Sequence, residues 1–112
     1  MDIIFRDSKF EKECSDHRLL QRRQGPVRSK RIMMRLQEIK ATNALEVLRN
    51  YPQARCHELK GERKGQLSVD LDGPFRLIFE PANEPLPRKP DGGLDWSKVT
   101  SVRIIEVTDY HE

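Results

Sequence analysis

Hydrophobic residues change spacing midway along the chain. The early part reads in helical steps and the later part in alternation. Ile3, Ile4 and Phe5 predict a short first strand, after which Ser8 and Glu11 form a capping box for a helix. Phe10, Cys14 and His17 continue that helix towards Leu19 or Leu20, until Gly25-Pro26 breaks it. Ser29 is placed to cap a second helix with Ile32, Leu36 and Ile39 as its buried stripe. Asn43 with Glu46 offers a third cap, opening a short helix that Pro52 ends.

Beyond Pro52 the pattern becomes that of strands. Leu67, Val69 and Leu71 alternate with Ser68 and Asp70, and Asp72-Gly73 signals a hairpin turn. The return strand sets Phe75, Leu77 and Phe79 on one face against Arg76 and Ile78 on the other. Residues 81–98, PANEPLPRKPDGGLDWSK, hold four prolines and two glycines, an extended loop too long for a simple hairpin connection. Val99 to Tyr110 then reads as a long, largely apolar strand in the sheet interior. Helices followed by antiparallel strands predict an α+β domain: a short N-terminal strand and two to three helices packed on one face of an antiparallel sheet. The opposite sheet face is then open to polar groups.

At 112 residues the chain fits a single domain spanning 1–112. No apolar run reaches the roughly 18 residues of a membrane span, and the charged start MDIIFRDSKFEKE does not read as a signal peptide. A cytoplasmic protein without membrane partners is the expectation. Cys14, Cys56, His17 and His57 fit no zinc spacing, because adjacent Cys56 and His57 would point to opposite strand faces; neither a metal nor a cofactor is expected. Net charge is only +3, but it is unevenly spread. Arg18, Arg22, Arg23, Arg28, Lys30, Arg31 and Arg35 lie in a stretch without one acidic residue. Arg28, Arg31 and Arg35 fall at helical spacing, and a one-signed field of this kind suits a polyanion such as RNA.

Six polar residues remain to be explained: His57, Lys60, Arg76, Asp109, Tyr110 and His111. If their strands are neighbours, these side chains can meet on the open face or its rim. Together they suit metal-free cleavage of RNA through the ribose 2′-hydroxyl. That reaction needs a base, an acid and positive charge beside the phosphate. Histidine supplies acid or base near neutrality; arginine and lysine supply charge. Tyrosine can stack on a base or bond the phosphate. Asp109 can orient a histidine. Taken singly, each has an ordinary alternative; Arg76, for example, could pair with Asp70 or Glu80.

The run CHELKG-(x)3-GQLSVDLDGPFRLIFE, closed by VRIIEVTDYH, resembles the RelE/ParE toxin superfamily, in particular its HigB-like "killer protein" branch. The resemblance covers Cys56 to His111, about half the chain, through four separated motifs in order. It implies a RelE-like microbial RNase fold and a ribosome-dependent messenger RNA endonuclease, the toxin of a type II toxin–antitoxin system. His57 and Lys60 match the H-x-L-K-G histidine and lysine. Arg76 matches the strand arginine, and Asp109, Tyr110 and His111 match the terminal D-Y-H. The implied roles are phosphate stabilisation for Arg76 and Lys60, acid and base for the two histidines, and positioning for Tyr110. The implied partners are the 70S ribosome with its messenger RNA and a cognate helix-turn-helix antitoxin, with operator DNA reached only through the antitoxin complex. Alternatives are a non-enzymatic ParE-like inhibitor of DNA gyrase and a catalytically inactive antitoxin-binding module. The 81–98 loop and Trp96 depart from the family pattern.

Overall fold

A five-stranded sheet in the order β1-β5-β4-β3-β2 organises the protein. The structure is a computed structural model that describes residues 1–110; the predicted site residue His111 lies outside them. The strands are β1 (Asp2–Phe5), β2 (His57–Glu58), β3 (Leu67–Asp70), β4 (Phe75–Pro81) and β5 (Ser101–Asp109). All neighbours run antiparallel except β1, which lies parallel to β5 with Ile3 beside Val102 and Phe5 beside Ile104. The α+β architecture is therefore as expected, with one parallel edge added. The long final strand is interior, flanked by β1 and β4.

Local chemistry sets the helix boundaries, and it moves several of them. Helix α1 (Ser8–Ser15) is capped by Asp7, whose carboxylate accepts from Lys9 N at 2.8 Å, one residue before the expected Ser8 cap. Asp16 then interrupts what spacing alone joins into one helix. Its extended backbone ends α1 and its carboxylate accepts from Leu19 N, opening α2 (His17–Gln24). Gly25, at φ +82°, turns the chain directly into α3 (Pro26–Ala41). Proline suits the first helical position because its φ is preset and its missing N–H has no partner there anyway. Ser29 is consequently not a cap; it is buried one turn inside, bonding back to Pro26 O. The segment predicted as a short helix from Asn43 forms 3-10 turns at Leu45–Asn50 and Pro52–Ala54, neither with a side-chain cap. Bounded by Pro52, it is too short to sustain an α-helical nucleus.

The main core lies between the helices and one sheet face. Ile32, Leu36 and Ile39 of α3 pack with Leu67, Val69, Leu77, Phe79, Val102 and Ile104 from β3, β4 and β5. Leu67 faces Phe79 and Val69 faces Leu77 across the hairpin, as the alternation predicts. The β4–β5 register shifts between Ile78 and Phe79, so Ile105 has no directly opposed residue. Alternation sends Ile104 and Ile105 to opposite faces, and the bulge then leaves Ile105 and Glu106 both on the open face. Ile104 joins the main core; Ile105 joins Leu59, Ile78 and Tyr110 in a small cluster on the open face.

Residues 81–98 are anchored at their far end. Trp96, only 7% exposed, donates its indole N–H to Glu58 at 2.8 Å and lies beneath the Arg49 guanidinium at 4.1 Å. No helix among the described residues is long and apolar enough to cross a membrane.

Candidate functional site

The open sheet face carries the polar members of the alternating strands. His57 on β2 faces Ser68 on β3, Ser68 faces Ile78 on β4, and two residues along β3 Asp70 faces Arg76. Arg76 in turn faces Thr108 on β5. His57 and Arg76 thus share this face, two strand spacings and two residues apart, about 12 Å between backbones from sheet geometry. The Arg76 guanidinium reaches towards the Asp72-Gly73 turn, and the His57 ring is tied to the Arg55 carbonyl.

Arg76 is held rigidly. Its Nε lies 3.0 Å from Asp70 Oδ1, and Nη1 donates to the carbonyls of Gly73 and Phe75, both at 2.9 Å. Gly73, at φ +51°, gives the Asp72-Gly73 turn the bend that carries its carbonyl to Arg76. The second Asp70 oxygen is taken by Arg55 Nε at 3.0 Å. His57 Nδ1 sits 2.8 Å from the Arg55 carbonyl. A carbonyl can only accept, so Nδ1 carries the proton and Nε2 is the basic atom of the neutral ring.

Lys60 and Tyr110 meet a short distance away, lining a cleft of about 260 Å³ with Glu58 and Leu59. Tyr110 packs on Leu59, Ile78 and Ile105, its N–H donates to Pro74 O at 3.2 Å, and the Arg63 guanidinium stands 5.8 Å from its ring. Arg63 is itself oriented by Glu106 at 3.1 Å and Gln66 at 3.0 Å. Asp109 is exposed and falls in register with Phe75, so it occupies the row opposite to Arg76. Of the six predicted site residues, the structure sets His57 and Arg76 on one face and Lys60 with Tyr110 at its rim. Asp109 is offset from them, and His111 is beyond the described residues.

The basic stretch divides by burial. Arg18, Arg22, Arg23, Lys30 and Arg31 are exposed. Arg35 is not: it is 1% exposed, with Nε donating to Asp70 O at 2.7 Å and Nη2 to Gln53 O at 3.0 Å. Its removal from the expected surface set follows from α3 packing, which turns that helix face onto β3. Arg28 is also engaged, paired with Asp72 at 3.1 Å and stacked 3.4 Å over the Phe75 ring. The residues that sequence reasoning missed are Arg55, Arg63 and Glu106. Arg55 precedes the quoted run, Arg63 falls in its unspecified three-residue gap, and Glu106 sits within VRIIEVTDYH without a role assigned to it; only Arg63 and Gln66, three apart in GERKGQ, left a local signal.

Among the described residues no group of three or more His, Cys, Asp or Glu side chains is arranged to hold a metal ion. Both cysteines are partly buried, and burial pushes each thiol up to about 12. At Cys56 the Arg49 cation opposes that rise and Glu58 adds to it. The folded protein therefore keeps a proton that the unfolded chain releases above the ordinary thiol value of 9.0. Cys56 stabilisation is complete below pH 9 and declines as pH climbs towards 12. Urea melts between pH 9 and 10.5 should show wild type losing about 1 kcal/mol per pH unit more than Cys56→Ala. Equal slopes would remove the buried-thiol assignment.

A second groove of about 300 Å³ lies on the helical side, lined by Ile3, Phe5, Cys14, Met33 and Leu36. It is mainly apolar and holds no imidazole. Comparison of the chain with protein-family models, with curated proteins and with solved structures returns no match.

Proposed function

We propose that this protein is a ribosome-dependent messenger RNA endonuclease, the toxin of a type II toxin–antitoxin pair. The observation that carries the reading is the shared sheet face of His57 and Arg76, with Lys60 and Tyr110 lining the adjacent cleft. The motif resemblance to HigB-like toxins, carried by these same residues, supports it. His57 takes the proton of the ribose 2′-hydroxyl through Nε2, which is enclosed in this structure and must be uncovered to meet the substrate, and the ribose oxygen attacks the adjacent phosphorus. Arg76 and Lys60 stabilise the charge gathering on the phosphate oxygens. The P–O5′ bond breaks, leaving a 2′,3′-cyclic phosphate and a 5′-hydroxyl that collects its proton from an acid, for which His111 is the candidate. Tyr110 stacks on a base or bonds the phosphate. The exposed arginines of α2 and α3 contact ribosomal RNA phosphates, an affinity that weakens with salt. A cognate helix-turn-helix antitoxin restrains the activity in the cytoplasm, and operator DNA is reached through that complex.

Expression of the protein alone should arrest growth and create new messenger RNA 5′ ends carrying hydroxyl groups. Growth arrest with intact messenger RNA and impaired supercoiling would replace this reading with gyrase inhibition. Unimpaired growth with intact messenger RNA would leave an antitoxin-binding module without catalysis.

A further inference from the structure

We infer that Arg55 and Asp70 act as one positioning unit that couples His57 to Arg76; the inference rests on the endonuclease reading above. Arg55 is the one non-glycine among the described residues with positive φ, at φ 45° and ψ 52°. A left-handed backbone is strained for a residue with a side chain and persists where its surroundings demand it. Here it aims the Arg55 carbonyl at His57 Nδ1, two residues on, while the guanidinium reaches Asp70 Oδ2. Asp70 Oδ1 lies 3.0 Å from Arg76 Nε on the far side, an ion pair without hydrogen-bond geometry. One residue thereby sets the ring tautomer of the base and, through a single carboxylate, the direction of the phosphate-binding cation. The Arg55 side chain is 50% exposed, so its ion pair adds little to stability and does not by itself explain the strained backbone. Asp70 is fixed in turn from the helical side, where Arg35 Nε donates to its backbone carbonyl.

Neither residue touches substrate in this scheme; both act through His57 and Arg76. Single-turnover cleavage on programmed ribosomes tests it with the full chain. Asp70→Asn should lower the maximal rate about 10- to 100-fold, the scale of a misplacement of about 1 Å, while the half-saturating protein concentration stays within about twofold. Arg55→Asn, which tolerates the left-handed backbone but cannot bridge to Asp70, should behave alike, and Arg55→Lys should recover much of the rate. Ring nitrogen NMR of the wild type should show His57 protonated at Nδ1. Asp70→Asn should also shift the Arg76 Nε–H resonance and the His57 ring signals. An unchanged rate in both Asp70→Asn and Arg55→Asn overturns the coupling, as does an Nε2-protonated His57. If Asp70→Asn does not fold, Arg55→Asn decides the rate question. If the wild type cuts no RNA, the endonuclease reading falls by itself, and the NMR shifts alone decide whether Arg55 and Asp70 join the two groups.

Discussion

Arg35→Ala is expected to destabilise the protein by about 3–5 kcal/mol, the scale seen when one partner of a buried ion pair is removed. Arg35 links three parts of the fold. From α3 it donates to Glu38 on its own helix at 3.0 and 3.2 Å, to the last residue of β3, and to the Gln53 carbonyl in the 3-10 turn before β2. Alanine leaves two backbone carbonyls without this donor, strands the Glu38 carboxylate and opens a cavity in the helix–sheet seam. For a domain of this size the melting temperature should fall by roughly 15–30 °C. Glu38→Gln keeps an acceptor at a side chain that is 18% exposed, so it should cost only about 1 kcal/mol. Thermal and urea unfolding read both. A melting shift of a few degrees in Arg35→Ala would show that the network is dispensable.

The largest effect on activity is expected at His57 and Arg76. His57→Ala should slow messenger RNA cleavage about 10²- to 10⁴-fold, the usual contribution of a positioned base. Arg76→Ala should slow it about 10²- to 10³-fold, as for other groups that stabilise developing charge. Neither change should unfold the protein. His57 lies on a two-residue edge strand, and Asp70 retains Arg55 when Arg76 is removed. Primer-extension mapping after induced expression, alongside purified-ribosome kinetics, measures both. Full cleavage by either variant, with folding verified by circular dichroism, would remove that residue from the mechanism.

Much of the sheet was legible because its signals are local. Alternation from Leu67 to Leu71, the Asp72-Gly73 turn and alternation from Phe75 to Phe79 specify a hairpin and its buried face without reference to distant residues. The parallel pairing of β1 with β5 was not legible, because nothing near Ile3 encodes a partner about a hundred positions away. The capping box at Ser8 located the start of α1, although Asp7 is the residue that caps it. The box at Asn43 and the cap expected at Ser29 misled: the first opens 3-10 turns, and α3 starts earlier, at Pro26 after Gly25. Arg35 shows the limit of reading charge. Spacing placed it with Arg31, yet forty degrees of helix rotation separates a solvated cation from one sealed against β3. At the candidate site, the Asp70–Arg76 pair was visible as a cross-strand possibility. The left-handed Arg55 was not, since an arginine carries no composition signal for that backbone.

The anchoring of Trp96 gives the protein a built-in optical reporter. It is the one tryptophan in the chain, and its indole N–H rests on Glu58, which also borders the Lys60–Tyr110 cleft. A ligand in that cleft that displaced Glu58 would alter the polarity around the indole. Intrinsic emission is therefore expected to report occupancy of the cleft in unlabelled protein and in real time.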